Sequence, residues 1–211
     1  MGLEFIELFD EWADTYDQTV LGDDKEYRAV FKNYDRILQA VADRVQGKII
    51  EFGVGTGNLT EKLLNSNNKV IGFEPSLAMR EKALEKLTNV NILNGDFLSY
   101  NIHEPIDAIV STYAFHHLTD DEKASAFSLY QSVLATGGKI VFADTVFISD
   151  AHKQTAIHEA NLKGYLNLAR DLATEYYSTI PSLEAMLKAN HFSVEFTQLN
   201  SFVWLMDATK L

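Results

Sequence analysis

The stretch Glu51-Phe-Gly-Val-Gly-Thr-Gly57 places three glycines within seven residues. Glycine lets a backbone turn tightly and lets a ligand come close. The loop follows a short apolar run, Lys48-Ile-Ile-Glu-Phe52, that reads as a strand, and a helical pattern begins at Asn58. In open α/β sheets, ligands bind beyond the carboxyl ends of the strands, where strand order reverses. Gly53, Gly55 and Gly57 are therefore candidates to cradle a ligand. The spacing sorts among ligand classes. A dinucleotide fingerprint reads G-x-G-x-x-G, whereas here the pattern is G-x-G-x-G and Asn58 stands at the place of the third dinucleotide glycine. No Gly-Lys-Ser/Thr follows, so this is not a phosphate-binding P-loop.

Acidic residues flank that loop. Glu51 would repel a pyrophosphate and suits a ligand with an ammonium group; the alternative is a half-exposed strand residue. Glu74 ends a second strand-like run, Lys69-Val-Ile-Gly-Phe-Glu74. A carboxylate there can accept hydrogen bonds from both hydroxyls of a ribose. Asp96 follows a third strand, Val90 to Leu93, in Asn-Gly-Asp-Phe97. It can accept from an adenine amino group while Phe97 contacts the base, or it can bond its own loop backbone.

These residues need a scaffold that brings strand ends together. A fourth strand reads from Ile106 to Ser111, a helix from about Thr119 to Leu134, and a fifth strand from Lys139 to Ala143. Helices are expected from Asn58 to Leu64 and from Ser76 to Leu87, with Ser76 as N-cap. Alternation of this kind implies parallel pairing through right-handed crossovers. Near-continuous apolar strands fit a sheet covered on both faces. The C-terminus breaks the rule, because His191–Leu199 and Ser201–Lys210 both alternate apolar and polar residues across a short turn, as a hairpin does. The first 46 residues read as helix, with Tyr27, Val30, Phe31, Tyr34, Ile37, Leu38, Val41 and Val45 on one face. A further helical stretch runs from about Asp150 to Tyr177, with a shorter helix after Ser182. One domain is expected over 1–211: a helical cap to 46, a ligand-binding core over 47–148, a helical cap segment over 149–190, and the hairpin over 191–211.

Composition narrows the partners. The 211 residues carry a net charge of −12 and no cysteine. Disulfides, zinc-thiolate sites and cysteine nucleophiles are excluded, and no metal site is expected. Proteins that grip nucleic acid neutralise several phosphates with Lys and Arg, and no basic run serves that purpose here. Anionic membrane surfaces are disfavoured on the same grounds. The start of the chain lacks the features of a signal peptide, and no stretch approaches the roughly 18 apolar residues of a membrane span. A cytoplasmic protein is expected.

Taken together, these motifs resemble the class I S-adenosylmethionine-dependent methyltransferases. The Glu51-to-Gly57 loop is similar to the family's first motif, Glu74 to its ribose acid, and Gly95-Asp96-Phe97 to its adenine motif. Ser111-Thr-Tyr-Ala-Phe-His-His-Leu118 is similar to its segment after strand four. The reversed terminal hairpin matches its seventh strand. More narrowly, Phe-Asp-Glu-Trp-Ala-Asp-Thr-Tyr-Asp17 and Phe-Val-Trp-Leu-Met-Asp-Ala208 resemble the bacterial YrrT-type group of methyltransferases. The resemblance implies a Rossmann-like α/β fold: a mostly parallel seven-stranded sheet ending in an antiparallel hairpin, with helices on both faces. It implies S-adenosyl-L-methionine as cofactor, with Gly53 closest to the methionine portion, Ser111 beside it and Tyr16 over the ligand.

Methyl transfer from a sulfonium needs mainly alignment and exclusion of water. A general base is needed only for an acceptor that is protonated at neutral pH. His116 or His117 could fill that role, or the pair packs and caps the following helix; Tyr113 is a candidate for acceptor contact. The segment Asp150 to Pro181, with Tyr165, Arg170, Tyr176 and Tyr177, either covers a small-molecule acceptor or is an ordinary packed cap. Two other readings compete with the methyltransferase: a non-catalytic module that binds S-adenosylmethionine or S-adenosylhomocysteine, and a nicotinamide-dependent oxidoreductase.

Overall fold

The computed structural model describes residues 6–102 and 104–211, with the side chains of residues 7, 8 and 23 excepted. Strands β1 (Lys48–Phe52), β2 (Lys69–Phe73), β3 (Asn91–Leu93), β4 (Ile106–Thr112), β5 (Leu134–Thr145), β6 (Phe192–Gln198) and β7 (Val203–Lys210) make one sheet. Their spatial order is β3-β2-β1-β4-β5-β7-β6. β1 pairs in parallel with β2 on one side and β4 on the other. β7 runs antiparallel to both β5 and β6, which gives the reversed hairpin expected from its alternating pattern. The strand order turns back between β1 and β4, the place where such sheets open a crevice.

Successive residues of a strand point to opposite faces, and here the two faces differ in kind. Ile50, Phe52, Ile109, Ile140 and Phe142 join an aromatic-rich layer with Phe73, Phe97, Phe127 and Tyr130. Ile49, Ala108, Val110, Val141 and Ala143 join an aliphatic layer with Ile37, Val41, Leu59 and Leu63. A slip of one residue in any central strand would send each side chain to the wrong layer. Each fully buried large side chain is worth roughly 1.5–3 kcal/mol, so the register is strongly specified. Helix α3 (Tyr34–Ala42) and α4 (Asn58–Asn65) cover the aliphatic face. α6 (Asp120–Val133) and α9 (Ile180–Ala189) cover the aromatic one. α5 (Leu77–Lys86) starts at Ser76, whose Oγ accepts from Met79 N at 3.1 Å as its N-cap.

Three expectations need correction. Residues 6–46 are not helix throughout. They hold α1 (Ile6–Trp12), the single turn α2 (Tyr16–Gln18), a π-turn that ends around Gly22 at φ +100°, and α3, which carries the expected stripe only from Tyr34 to Val41. Residues 24–33 form turns, because their polar groups are engaged elsewhere. Asn200 Nδ2 donates to the carbonyls of Val30 (2.8 Å) and Lys32 (2.9 Å). Glu26 Oε2 accepts from Asn167 N (2.8 Å) and Leu168 N (3.1 Å), and Tyr27 Oη donates to Asp171. The second correction concerns the stretch after Asp150. It divides at Gly164 (φ +72°) into α7 (Asp150–Leu162) and α8 (Leu166–Thr174), and residues 175–179 are extended. Third, β5 begins at Leu134 rather than Lys139, since Leu134 pairs with Ile106 across an irregularity in register. Among the described residues, no helix is long and apolar enough to cross a membrane.

α6 has a full capping box: Thr119 Oγ1 accepts from Glu122 N at 3.3 Å, and Glu122 Oε2 accepts from Thr119 N at 3.0 Å. Losing a Ser/Thr cap costs about 1 kcal/mol. Thr119→Ala is therefore expected to lower unfolding stability by about that amount in urea denaturation. An unchanged midpoint would show that α6 is set by packing alone.

Candidate active site

The glycine loop leaves β1 with its last rung intact, as Gly53 N donates to Phe73 O at 2.9 Å. Gly53 (φ +68°) passes so close to Ala114 that a Cβ would lie 2.7 Å from that methyl group. Gly55 (φ +56°) differs: a Cβ there would meet nothing within 4 Å. Its backbone therefore faces open space, and its N–H donates to Glu74 Oε2 at 2.9 Å. Gly57 (φ +85°) turns away from that space, and a Cβ there would lie 2.7 Å from Leu87 Cδ1. Its role is to let the loop pack on the end of α5.

A cleft opens where β1 to β4 end. Gly53, Gly55, Glu74, Asp96, Phe97, Tyr113 and His117 line its floor and walls, with Tyr16, Phe9 and Ile6 across from them. Glu74 is buried; its Oε1 accepts from Ser76 N at 3.0 Å and its Oε2 from Gly55 N. Burial pushes its carboxyl above the usual range, and those two N–H groups pull it back. Asp96 Oδ1 accepts from Leu98 N (2.8 Å) and Ser99 N (3.0 Å), the loop-bonding alternative. Its Oδ2 makes no hydrogen bond among the described residues.

Glu51, Gly57, Ser111 and His116 do not line this cleft. Glu51 is buried beneath the loop, where its Oε2 accepts from Thr60 Oγ1 at 2.7 Å. Burial drives its carboxyl up to about 8, against the pull of Thr60 and with a push from Glu74. Ser111 Oγ is buried with no hydrogen-bond partner, 3.9 Å from where a Gly53 Cβ would stand. The N-terminal segment is tied down over the loop by Asp17, whose Oδ1 accepts from Thr56 Oγ1 (2.6 Å) and Asn58 Nδ2 (2.9 Å). That tie holds Tyr16 at the cleft.

A second cleft adjoins the first and shares Phe9, Tyr16, Tyr113 and His117 with it. Its far side is built by Tyr27, Phe31, Arg170, Asp171, Glu175 and Tyr177. Tyr113 holds a left-handed backbone (φ +54°), uncommon for a bulky residue and often seen at functional positions. His116 is clamped between carboxylates. Asp144 Oδ2 accepts from its backbone N at 2.9 Å, Asp144 Oδ1 lies 2.6 Å from Nδ1, and Glu175 Oε2 lies 3.1 Å from Nε2. Burial opposes its charge, but Asp144 and Glu175 outweigh burial and carry the imidazole up to about 10. His117 goes the other way: burial and then the neighbouring His116 bring it down to about 3. At neutral pH the first is already protonated and the second is a weak base, so neither suits the role of general base in this state.

Asp17, Asp144 and Glu175 were not among the residues singled out from sequence. Asp144 had a usable signal, since it lies near the carboxyl end of β5, where site residues gather. Glu175 had none beyond its tyrosine neighbours.

The sheet order, the glycine turn after β1 and the acids after β2 and β3 define the class I methyltransferase fold, the S-adenosylmethionine-dependent type. Residues 49–138 match a family model described as a methyltransferase domain. An uncharacterized methyltransferase of Anoxybacillus flavithermus is 53% identical over the whole of both chains. A second, from a Geobacillus species, is 55% identical, again over both chains in full. This chain belongs to that methyltransferase family. Its fold is shared with a magnesium protoporphyrin IX methyltransferase from Synechocystis, solved with bound S-adenosylhomocysteine. The two are 15% identical, with a TM-score of 0.77 over 100% of each chain. A methyltransferase structure from Thermotoga maritima gives 18% identity and a TM-score of 0.71, covering 98% of this chain and 100% of that one.

The raised carboxyl of Glu51 has a consequence for stability. Its folded value, about 8, exceeds the ordinary 4.5, so the folded state binds the extra proton between those values. Stability from this group is full below about 4.5 and is lost as pH rises through about 8. Glu51→Gln should remove that slope, leaving a variant that gains on the wild type in denaturation at pH 8.5 and not at pH 5. Equal pH profiles would mean that the carboxyl is ionised throughout.

Proposed function

We propose that this chain binds S-adenosylmethionine in the first cleft and transfers its methyl group to a small molecule held in the second. The observation that carries this reading is the wall shared by the two clefts: Phe9, Tyr16, Tyr113 and His117 border both. Two features fit the nucleoside: the open backbone at Gly55 and the unpartnered hydroxyl of Ser111 beside the loop. Bound there, S-adenosylmethionine supplies a methyl group on a sulfonium, a carbon already activated for displacement.

The chain's own residues align and seal. Gly53 and Gly55 let the backbone meet the methionine portion, with Ser111 Oγ below. Glu74 takes the ribose hydroxyls, and Asp96 and Phe97 take the adenine. Glu51 acts as a positioning residue through Thr60 and α4. Tyr16, held by the Asp17 tie, closes the cleft, and Tyr113 faces the acceptor. Residues 149–190 supply the outer wall, through Arg170, Asp171, Glu175 and Tyr177. Alignment of this kind can supply roughly 7–11 kcal/mol of a barrier. A net charge of −12 fits a small acceptor and not a nucleic acid. We also place the enzyme in the cytoplasm, in keeping with the same composition.

The test pairs binding with turnover. Calorimetric titration is expected to show one S-adenosylhomocysteine per chain and no NADH. Glu74→Ala should weaken that binding by about 1.5–3 kcal/mol, the worth of a hydrogen bond to a charged group. Release of S-adenosylhomocysteine should follow addition of a suitable compound from a metabolite panel. Tight binding with no turnover on any acceptor would leave a non-catalytic binding module, and preference for NADH would overturn the reading.

A further inference from the structure

His116, His117 and Glu175 form a cluster to which the methyl-transfer reading gives no chemistry beyond lining a wall. Each offers a ligand atom, and the three atoms lie within 4.8 Å of one another. The cluster stands on the wall of the second cleft. We propose that these three residues bind a divalent first-row transition-metal ion, whose remaining positions face the second cleft and take an oxygen donor of the acceptor.

The donor set is two imidazoles and a carboxylate, which suits zinc or iron and leaves positions open. The spacing agrees. Two ligands held about 2.1 Å from one ion stand roughly 3.0 Å apart at a right angle and about 3.4 Å apart at a tetrahedral one. His116 Nε2 and Glu175 Oε2 stand 3.1 Å apart. The 4.8 Å bound on the cluster is wider than the roughly 4.2 Å that two ligands of one such ion can span, so binding requires His117 to move inward toward the pair.

The outer partners are an independent observation. Histidine ligands almost always give their second ring nitrogen to a carboxylate or carbonyl, and ligating carboxylates are hydrogen-bonded in turn. Asp144 holds the Nδ1 side of His116, at 2.6 Å, and its other oxygen holds the backbone N of the same residue. Nε2 is thereby aimed at the cluster. Tyr177 Oη donates to Glu175 Oε2 at 2.7 Å, and its ring stacks on His116 with centroids 4.8 Å apart. Both first ligands are thus oriented before any ion arrives, and an ion that binds there displaces the proton that His116 Nε2 otherwise shares with Glu175. Three elements converge to do this: the turn after β4, the end of β5 and the extended stretch after α8. The role given to the ion rests on the methyltransferase reading; the site itself does not.

The full chain, stripped with chelator, is titrated with Co²⁺ while visible absorption is followed, and with Zn²⁺ by calorimetry. S-adenosylhomocysteine binding is measured on the same samples. The expected result is one Co²⁺ per chain with ligand-field bands, displaced by Zn²⁺. Glu175→Gln should abolish the bands, and Asp144→Asn should weaken uptake roughly ten- to hundredfold, while S-adenosylhomocysteine affinity shows that each variant is folded. Wild-type protein that binds the nucleoside but takes up no stoichiometric Co²⁺ would overturn the site and leave an ion pair. Uptake unaltered by Glu175→Gln would overturn it too. Co²⁺ uptake without nucleoside binding would uphold the site and sink the methyltransferase reading instead.

Discussion

The parallel pairing of β1 with β2 and β4 is the constraint on which the rest depends. It brings the carboxyl ends of three strands to one level, with Glu51 opposite both Gly72 and Val110. Everything chemical in the molecule hangs from those ends. The glycine loop leaves β1, Glu74 leaves β2, and Tyr113 with the two histidines leaves β4. A parallel ladder cannot turn back on itself in two residues, so each strand end is free to carry a loop outward. β5 adds Asp144 at the same edge, and the reversed β7 pairs beside it, with β6 outermost. The two differing faces keep this register, because aromatic and aliphatic layers cannot exchange without voids and overlap.

Around the glycine loop the sequence accepts a cost. Two carboxyl groups, Glu51 and Glu74, are buried on either side of one turn, and burial raises both. Each is compensated locally, by a hydroxyl in one case and by two backbone N–H groups in the other. Buried carboxyl groups, charged or neutral, are tolerated only with such partners. The loop is thereby held from beneath by Glu51 through Thr60, from the side by Glu74, and from above by Asp17. Rigid backbone at the point of closest approach is what a small ligand requires.

The parts legible in the sequence were those with a local cause. Strand periods, the glycine turn, the cap at Ser76 and the reversed hairpin follow from neighbouring residues, and the sheet has them. Glu74, Asp96 and Phe97 reach the cleft because each lies within four residues of the carboxyl end of its strand. What stayed hidden depends on distant partners. The apolar stripe from Tyr27 to Tyr34 has helical spacing, yet Asn200 and Asp171 claim its polar groups. Glu51 reads as ligand-facing by position, but Thr60 turns it inward. The pairing of His116 with Asp144 and Glu175 joins three stretches of chain, and no spacing announces it.

Asn200 sits in the turn between β6 and β7, yet its amide holds carbonyls of Val30 and Lys32, near the opposite end of the chain. Its Oδ1 meanwhile accepts from Phe202 N and Val203 N, so one side chain both shapes the turn and fastens the strap. This sets an order of assembly. Chains are made from the N-terminus at about 5–20 residues per second. The loop, Glu74 and Asp96 emerge as one contiguous block, and β1 to β4 can settle around them. The strap over residues 24–33 has to wait for Glu26 to meet α8 and for Asn200 to be synthesised. The far side of the second cleft is thus completed by the parts of the chain that are made late.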